Sequence, residues 1–357
     1  MTERKHDPHA DRLSLKDYGW NPHFERQIAD EERSATRPVR VLAVHRDSLE
    51  VAGPEFEGRV TPLIGETEDV ATVGDWLLVE AGAPRAVRVL ERRSLLKRKA
   101  AGTGRRTQLI AANVDTLILV TSANQDFNTA RLERYLALAA EAGVTPLVVI
   151  TKVDLVEDTA RYAADARRLM PGLVVEAFDA RSDDALACLQ PWFTRGQTLA
   201  LVGSSGVGKS TIVNSVSGTA VQQTQDIRDD DSRGRHTTSG RSLHRLPGGA
   251  WLMDTPGMRE LQIMDVAEGV DEVFPDVAEL ASACRFSDCA HVSEPGCAIQ
   301  AAIASGSLDA ERLKRYQKLQ REGARTGESL AEAHARNQRF GRMQKNAYTQ
   351  KLKHREW

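Results

Sequence analysis

Short apolar runs alternate with amphipathic segments of helical spacing through the middle of the chain. The apolar runs span residues 116–121, 146–151, 173–178 and 198–203. The amphipathic segments between them lie near residues 129–141, 158–169 and 183–192. Strands that alternate with helices of these lengths form a mostly parallel sheet with helices on both faces. The pattern therefore predicts an α/β domain, which we place at residues 105–275.

Shorter β-rich runs precede this region and are separated by turn residues such as Gly53 and Pro54. Five short strands at this spacing predict a small β-barrel of the OB-fold type over residues 37–98. Barrels of this class often bind oligonucleotides, but they also occur as inert scaffolds. The basic segment 92–106 that leaves the barrel favours RNA binding, although a solvated linker has the same composition.

The two ends of the chain differ from its middle. Residues 1–36 are polar and charged, and we expect an N-terminal extension that is at best partly ordered. Residues 321–357 form a basic C-terminal tail, with seven Lys or Arg and one acid from Arg336 onward and aromatic residues interleaved. Such a tail suits phosphate contacts with stacking on unpaired bases, and a solvated helix end explains it nearly as well.

Length and charge narrow the class of protein. A chain of 357 residues is long enough for two or three domains, so we expect a multidomain protein. The formal net charge of −2 gives no overall attraction to nucleic acid, so any RNA contact has to come from local patches. The start lacks an apolar signal region, and no run approaches the roughly 18 apolar residues of a membrane span. We therefore expect a cytoplasmic protein without a membrane partner.

A glycine-rich loop joins one predicted strand to a predicted helix. The sequence GSSGVGKST fits the pattern G-x-x-x-x-G-K-[ST] in the strand–loop–helix context that this motif requires. Its glycines let backbone N–H groups converge on phosphates, Lys209 supplies charge to the outer phosphates, and the Ser210 hydroxyl can bind Mg²⁺. The predicted nucleotide-binding residues are Gly203, Ser204, Ser205, Gly206, Val207, Gly208, Lys209, Ser210 and Thr211.

A second phosphate-facing motif is DTPG, which ends a later apolar run. The Asp254 carboxylate can reach Mg²⁺ there, and the Gly257 N–H can face a γ-phosphate. The segment GRHTTS lies upstream of it, where a switch threonine is expected. Thr237 and Thr238 are alternatives for the second hydroxyl ligand of Mg²⁺.

The sequence ITKVD, which also follows a strand, indicates recognition of guanine. Asp154 can accept hydrogen bonds from both N1–H and the 2-amino group of guanine, and adenine lacks that pair of donors. Lys152 would lie over the plane of the base. Thr151 stands where this motif usually has Asn, which weakens the match. The segment DAR at 179–181 is predicted to close over the guanine with a backbone amide.

The order of these motifs is unusual. Base recognition precedes the phosphate loop, whereas an ordinary GTPase begins with that loop, so the domain is predicted to be circularly permuted. We expect the nucleotide state to reach the C-terminal domain through the segment after DTPG. Met258 cannot orient water as the Gln of Ras-like proteins does, so unaided turnover should be slow. His236 is our hypothesis for the missing group, and a solvent-facing loop His is the alternative.

Three of the four cysteines cluster near the C-terminus in the spacing C-x₄-C-x-H-x₅-C. The four candidate ligands are Cys284, Cys289, His291 and Cys297. Three thiolates and an imidazole match a closed tetrahedral zinc site, and the alternative is a chance cluster of reduced cysteines. We predict one structural zinc per chain, in a C-terminal α-helical domain placed at residues 276–320. Cys188 is most simply a small buried hydrophobe.

Together these motifs resemble the RsgA family, the circularly permuted bacterial GTPases that depend on the small ribosomal subunit. The resemblance covers roughly residues 37–320 and rests on QLIAANVD, ITKVD, GSSGVGKST, GRHTT, DTPG and CRFSDCAHVSEPGCAI. It implies a factor that binds the 30S subunit and its rRNA late in maturation, hydrolyses GTP to GDP with Mg²⁺ there, and is then released. It also implies that the barrel and the zinc domain contact rRNA and that His236 assists hydrolysis.

Two other functions stay open at the level of sequence. The chain could be a nucleotide-regulated RNA-binding adaptor in which hydrolysis is not essential. It could also be a kinase that uses ATP through the same loop, although Asp154 argues against that. Nothing in the sequence demands more than a monomer.

Overall fold

The computed structural model describes residues 13–63, 70–99, 107–217, 241–254 and 267–327. Its first elements are a 3₁₀ turn (Leu15–Tyr18), helix α1 (Pro22–Glu25) and helix α2 (Asp30–Ala35). Residues 13–35 of the expected extension pack onto the rest of the protein, because three of their aromatic side chains are buried: Tyr18, Trp20 and Phe24.

The aromatic partners of this segment come from distant parts of the chain. Tyr18 stacks on Trp251 with ring centroids 5.4 Å apart, and Trp20 meets the edge of Trp76 at 4.7 Å. The Trp251 indole N–H also donates to the Asp17 carbonyl oxygen at 2.7 Å. Large aromatic areas removed from water explain why a segment of mostly polar composition is ordered here.

The next five strands form a closed ring of neighbours. They are β1 (Thr36–Val44), β2 (Leu49–Ala52), β3 (Glu57–Val60), β4 (Trp76–Glu80) and β5 (Ala86–Val89). Strand β1 pairs antiparallel with β2 and β4, β2 with β3, and β4 with β5. A parallel bridge between Thr61 and Arg85 joins the end of β3 to the start of β5. The side chains inside are alternate apolar residues, including Val39, Val41, Leu49, Val51 and Val60.

A separate hairpin leads out of this ring. Strands β6 (Leu95–Lys99) and β7 (Thr107–Ala112) pair antiparallel. The basic segment 92–106 is therefore a strand over its central residues, rather than a linker throughout.

A mostly parallel sheet follows, as the alternating pattern predicts. Its strands are β8 (Thr116–Ser122), β9 (Thr145–Thr151), β10 (Val174–Ala177), β11 (Thr198–Val202), β12 (Ser242–Arg245) and β13 (Trp251–Asp254). The helices between them are α3 (Thr129–Glu141), α4 (Thr159–Arg167), α5 (Asp183–Leu189) and α6 (Lys209–Ser217). The strand order is β10-β9-β8-β11-β13-β12, with only β12 antiparallel among these described strands. Strand β12 then pairs with β1 at Ala43 and Ser242, which joins the ring to this sheet.

Four helices complete the described part of the chain. They are α7 (Ala267–Val273), α8 (Pro275–Ser282), α9 (Ala298–Ala304) and α10 (Ala310–Gly327). Helix α7 packs closely on α3 at Gly269. A Cβ added there would lie only 2.2 Å from the Ala137 carbonyl oxygen, so the contact leaves no room for a side chain. Among the described residues no helix is both long and apolar enough to cross a membrane.

A buried carboxylate fixes α10 against α3. Glu133 on α3 is fully buried and lies 2.7 Å from Arg315 and 3.4 Å from Arg312. Arg312 also pairs with Asp276 at 2.6 Å and lies over the ring of Phe274. Burial raises the pKa of Glu133, and the two arginines counteract that rise. Removing either partner of such a buried pair is expected to be costly, since it leaves a charge without compensation.

Arg40 on β1 is the buried cation that connects three parts of the molecule. It is 1% exposed, and its guanidinium donates to the Tyr18 carbonyl oxygen and to the Thr198 hydroxyl, the latter at 2.6 Å. The Asn113 carbonyl oxygen lies 3.4 Å away. Burial lowers the pKa of Arg40 to about 10, which still leaves the side chain protonated at neutral pH.

We predict that Arg40→Ala lowers the free energy of unfolding by about 3 kcal/mol, because it leaves buried oxygen acceptors without a donor. Arg40→Lys should not restore this stability, since one ammonium cannot reach acceptors in three elements. Urea unfolding followed by tryptophan fluorescence measures the change.

The matched control is Arg85→Ala, which removes a 69% exposed side chain from a surface pair with Glu80. It should change the stability by no more than about 0.5 kcal/mol. Equal midpoints for the Arg40 and Arg85 variants would contradict the role given to Arg40.

Candidate nucleotide site and metal centre

The parallel strands bring the predicted nucleotide motifs to one edge of the sheet. Strands β9, β8, β11 and β13 are successive parallel neighbours, so their carboxyl ends lie side by side. Ligands in open α/β sheets bind at this edge. Thr151 ends β9, Val202 ends β11, and Asp254 ends β13. Motifs that are far apart in sequence are therefore neighbours in the fold.

The glycine-rich loop has the backbone that a phosphate loop needs. Gly203, Gly206 and Gly208 all have positive φ, of 148°, 77° and 95°. A Cβ at Gly203 would lie 2.2 Å from the Val120 carbonyl oxygen, so only glycine permits this approach to β8. The chain then enters α6 at Lys209, and helix N-termini of this kind favour phosphate.

Lys209 curls back into the loop that it follows. Its ammonium donates to the Gly203 carbonyl oxygen at 2.8 Å and to the Ser204 carbonyl oxygen. Ser210 and Thr211 follow in the first turn of α6. The cation predicted to contact the outer phosphates therefore lies against the loop itself.

Thr151 ties the base-recognition motif to the phosphate loop. It is fully buried, and its hydroxyl donates to the Val207 carbonyl oxygen at 2.6 Å, with the Thr121 carbonyl oxygen 3.1 Å away. The residue that departs from the usual Asn thus holds the loop in place. Lys152 follows with φ of 57°, in the left-handed region, and turns the chain toward Asp154.

Asp154 lies in a cluster with the residues predicted to close over the base. The Arg181 guanidinium lies 2.7 Å from the Asp154 carboxylate and 3.1 Å from that of Asp179. Its hydrogen bonds hold the pKa of Asp179 below the usual range. The Ser215 hydroxyl on α6 donates to the Ala180 carbonyl oxygen at 3.0 Å, which joins this loop to the phosphate-loop helix.

Several predicted site residues lie outside the described part of the chain. They are His236, Thr237, Thr238, Gly257 and Met258. For Asp254 the structure gives the backbone position at the end of β13, beside β11. The predicted roles of these residues stay predictions.

Arg131 belongs to the site but carries no sequence signal. It lies in the first turn of α3, and its guanidinium donates to the Ser204 hydroxyl of the phosphate loop. No motif marks it, because its partner is 73 residues away in sequence. The contact depends on the neighbouring positions of β8 and β11, which only the fold reveals.

The predicted metal ligands converge on one point. The ligand atoms of Cys284, Cys289, His291 and Cys297 all lie within 4.8 Å of one another. The His291 Nδ1 is 3.6 Å from one sulfur and 3.7 Å from another, and those two sulfurs are 3.9 Å apart. Bonds of ~2.3 Å to sulfur and ~2.05 Å to nitrogen give tetrahedral edges of ~3.6 to 3.8 Å. The cluster therefore fits a zinc ion held by four protein ligands.

Glu294 organises the loop that carries His291, the predicted histidine ligand. Its carboxylate accepts backbone hydrogen bonds from Ala290 and Val292 at 2.9 Å and from Ser293 at 3.0 Å. These bonds lower the pKa of Glu294 to about 2. The loop places His291 at φ of 59°, a left-handed conformation that the surrounding bonds fix.

Comparison with known proteins identifies relatives over nearly the whole chain. The family model described as RsgA GTPase matches residues 89–264. The small ribosomal subunit biogenesis GTPase RsgA 2 of Vibrio parahaemolyticus is 46% identical over 342 residues, which cover 96% of this chain and 95% of the relative. The small ribosomal subunit biogenesis GTPase RsgA of Mesorhizobium japonicum is 48% identical over 313 residues, 87% of this chain and 90% of the relative.

Solved structures agree with these sequence matches. YjeQ from Thermotoga maritima superposes with a TM-score of 0.58 at 25% identity, over 82% of this chain and all of that one. YloQ, described as a circularly permuted GTPase, gives a TM-score of 0.58 at 25% identity, over 85% of this chain and all of that one. The predicted circular permutation is confirmed by these matches.

We predict that Thr151→Val weakens GDP binding by roughly tenfold, because it leaves the Val207 carbonyl oxygen buried without a donor and loosens the loop. Thr151→Ser keeps the hydroxyl and should keep most of the affinity. Titration with a fluorescent GDP measures both variants. Wild-type affinity in Thr151→Val would show that this hydrogen bond does not hold the loop.

We also predict about one zinc per purified chain by elemental analysis, since four ligands close one tetrahedral site. Cys289→Ala should lose the metal and lower the melting temperature, because so small a module depends on it. Cys188→Ala is the matched control, since Cys188 lies on α5 and outside the cluster, and it should keep the metal. Zinc retained in Cys289→Ala would refute the assignment of the ligands.

Proposed function

The chain belongs to the RsgA family of circularly permuted GTPases, and from this we propose that it hydrolyses GTP in the biogenesis of the small ribosomal subunit. The observation that carries the proposal is the joining of two motifs by one hydrogen bond. Thr151 of the base-recognition motif binds Val207 of the phosphate loop, so base and phosphates would be held in fixed relation. The names of relatives 46–48% identical over most of the chain support the ribosomal assignment.

We propose that the nucleotide is GTP rather than ATP because of Asp154. Its carboxylate would accept from N1–H and the 2-amino group of guanine, and the Arg181 guanidinium lies beside it at 2.7 Å. Lys152 would cover the base, and the loop from Gly203 to Thr211 would wrap the phosphates. The same residues would bind the base and the remaining phosphates of GDP after hydrolysis.

Hydrolysis needs stabilisation of charge on the transferring phosphoryl group. The loop amides and Lys209 would supply donors to it, in a site formed before the reaction. Mg²⁺, when bound with GTP, would neutralise charge between the outer phosphates, with Ser210 and either Thr237 or Thr238 as hydroxyl ligands and Asp254 nearby. His236 is the proposed helper of the attacking water, since Met258 offers no hydrogen bond.

We propose that the flanking modules hold the protein on the ribosomal particle. The neighbour order β1-β2-β3-β5-β4 and back to β1 supports an OB-type barrel at residues 37–98, a class that binds oligonucleotides. The Cys₃His cluster supports a structural zinc in the module at residues 276–320. Contact of both modules with rRNA, the basic tail from residue 321, a monomeric state and a cytoplasmic location are further proposals.

We predict that purified, zinc-loaded protein releases phosphate from GTP slowly and that small ribosomal subunits raise this rate at least ~10-fold. ATP should give no such rise, because adenine lacks the donors that Asp154 recognises. Steady-state phosphate release with each nucleotide, with and without subunits, measures this. An equal GTP rate with and without bound subunits would favour the adaptor function instead.

We further predict that Asp154→Asn weakens GTP binding at least ~100-fold and allows xanthosine triphosphate to bind. The Asn amide N–H can donate to the xanthine 2-oxygen. Toward guanine, the amide offers one acceptor oxygen where the carboxylate offers two, so the guanine 2-amino group loses its acceptor. Glu157→Gln, an exposed neutralisation three residues away, is the control and should change neither affinity. Unaltered base preference in Asp154→Asn would mean that the base is read elsewhere.

A further inference from the structure

The start of helix α3 lies beside the phosphate loop. Strand β8, which leads into α3, pairs with β11, which leads into the loop, up to Leu119 and Val202. The Asn128 side chain caps α3 by accepting from the Arg131 N–H at 2.9 Å. The cap fixes Arg131 in the first turn, on the side of the sheet edge where the phosphates are expected.

Two cations converge on one residue of the loop. The Arg131 guanidinium donates to the Ser204 hydroxyl, and the Lys209 ammonium donates to the Ser204 carbonyl oxygen. Lys209 is the residue that this loop type uses for the outer phosphates. Arg131 and Lys209 therefore contact the same residue of the loop, Ser204.

The charge of Arg131 is not neutralised by an acid in the part of the chain that the structure describes. Its other polar contact there is the Asp126 carbonyl oxygen at 3.5 Å. By contrast, Arg134 on the same helix pairs with Glu322 at 2.6 Å. A half-buried guanidinium beside a phosphate loop, with neutral oxygens as acceptors, has donors to offer to an anion.

We propose that Arg131 is a catalytic residue, an arginine supplied within the same chain that contacts the γ-phosphate of GTP. This rests on the proposed GTPase function. In the reaction a water oxygen bonds to the γ-phosphorus while the bond from that phosphorus to the β–γ bridging oxygen breaks, and the water proton leaves to solvent. Arg131 donates hydrogen bonds and stabilises the charge on the transferring group, as arginine fingers do. This role is separate from the orientation of water.

Single-turnover GTP hydrolysis by the full chain, alone and with small ribosomal subunits, tests the proposal. Arg131→Ala and Arg131→Gln should each slow hydrolysis at least ~100-fold, and Arg131→Lys should recover part of the rate because it keeps the charge. Arg134→Ala, which removes a paired arginine from the same helix, should stay within ~3-fold of wild type.

Binding of GDP with and without aluminium fluoride gives a readout independent of turnover. Arg131→Ala should bind GDP within ~3-fold of wild type but bind GDP with aluminium fluoride, which mimics the transferring phosphoryl group, at least ~10-fold more weakly. A wild-type rate in Arg131→Ala or in Arg131→Gln would overturn the proposal, as would an equal loss of both affinities. Wild-type protein that binds GTP but never hydrolyses it would instead overturn the proposed function itself, and this inference with it.

Discussion

The site depends on one topological constraint, that the carboxyl ends of parallel strands meet at one edge of a sheet. The constraint concerns which strands are neighbours and not their order along the chain. The predicted base-recognition motif follows β9 and the predicted phosphate loop follows β11, with β8 between them. The Thr151 hydroxyl lies near carbonyl oxygens of both Thr121 on β8 and Val207 in the loop. It therefore connects the end of β9 to the loop after β11 across the strand between them. A permuted chain can therefore build the same site as an unpermuted one.

Strand β12 is the last strand of the α/β part of the sheet, and its outer edge also has a partner. Strand β1 of the ring pairs with it at Ala43 and Ser242. Buried Arg40 strengthens this junction by bonding the N-terminal segment and the start of β11. The ring of strands β1–β5 is thus held against the α/β part by polar groups that are costly to bury without partners.

Local patterns in the sequence were sufficient for the elements and for the proximity of three cysteines and a histidine. Helix α3 and strand β8 follow the predicted periodicity closely, and the four predicted metal ligands lie close enough in sequence for their spacing to indicate a candidate site. Contacts between distant segments could not be predicted in this way. The N-terminal segment is held in place by contacts of Tyr18 with Trp251 and of Trp20 with Trp76. Thr151 in place of the usual Asn suggested a weaker match to the base-recognition motif, whereas in the structure its hydroxyl makes a buried hydrogen bond.

Helix α3 links the phosphate loop to the C-terminal helices through rigid contacts. Its first turn reaches Ser204 through Arg131, and two residues later Glu133 holds Arg312 and Arg315 of α10. Breaking the Glu133 cluster would leave buried charges unpaired, which costs several kcal/mol, about as much as a small domain can spare. We therefore expect α3 and α10 to move together, because separating them would break the Glu133 cluster. The glycine-rich loop and helix α10, which follows the Cys₃His cluster in the chain, are in this sense connected through α3.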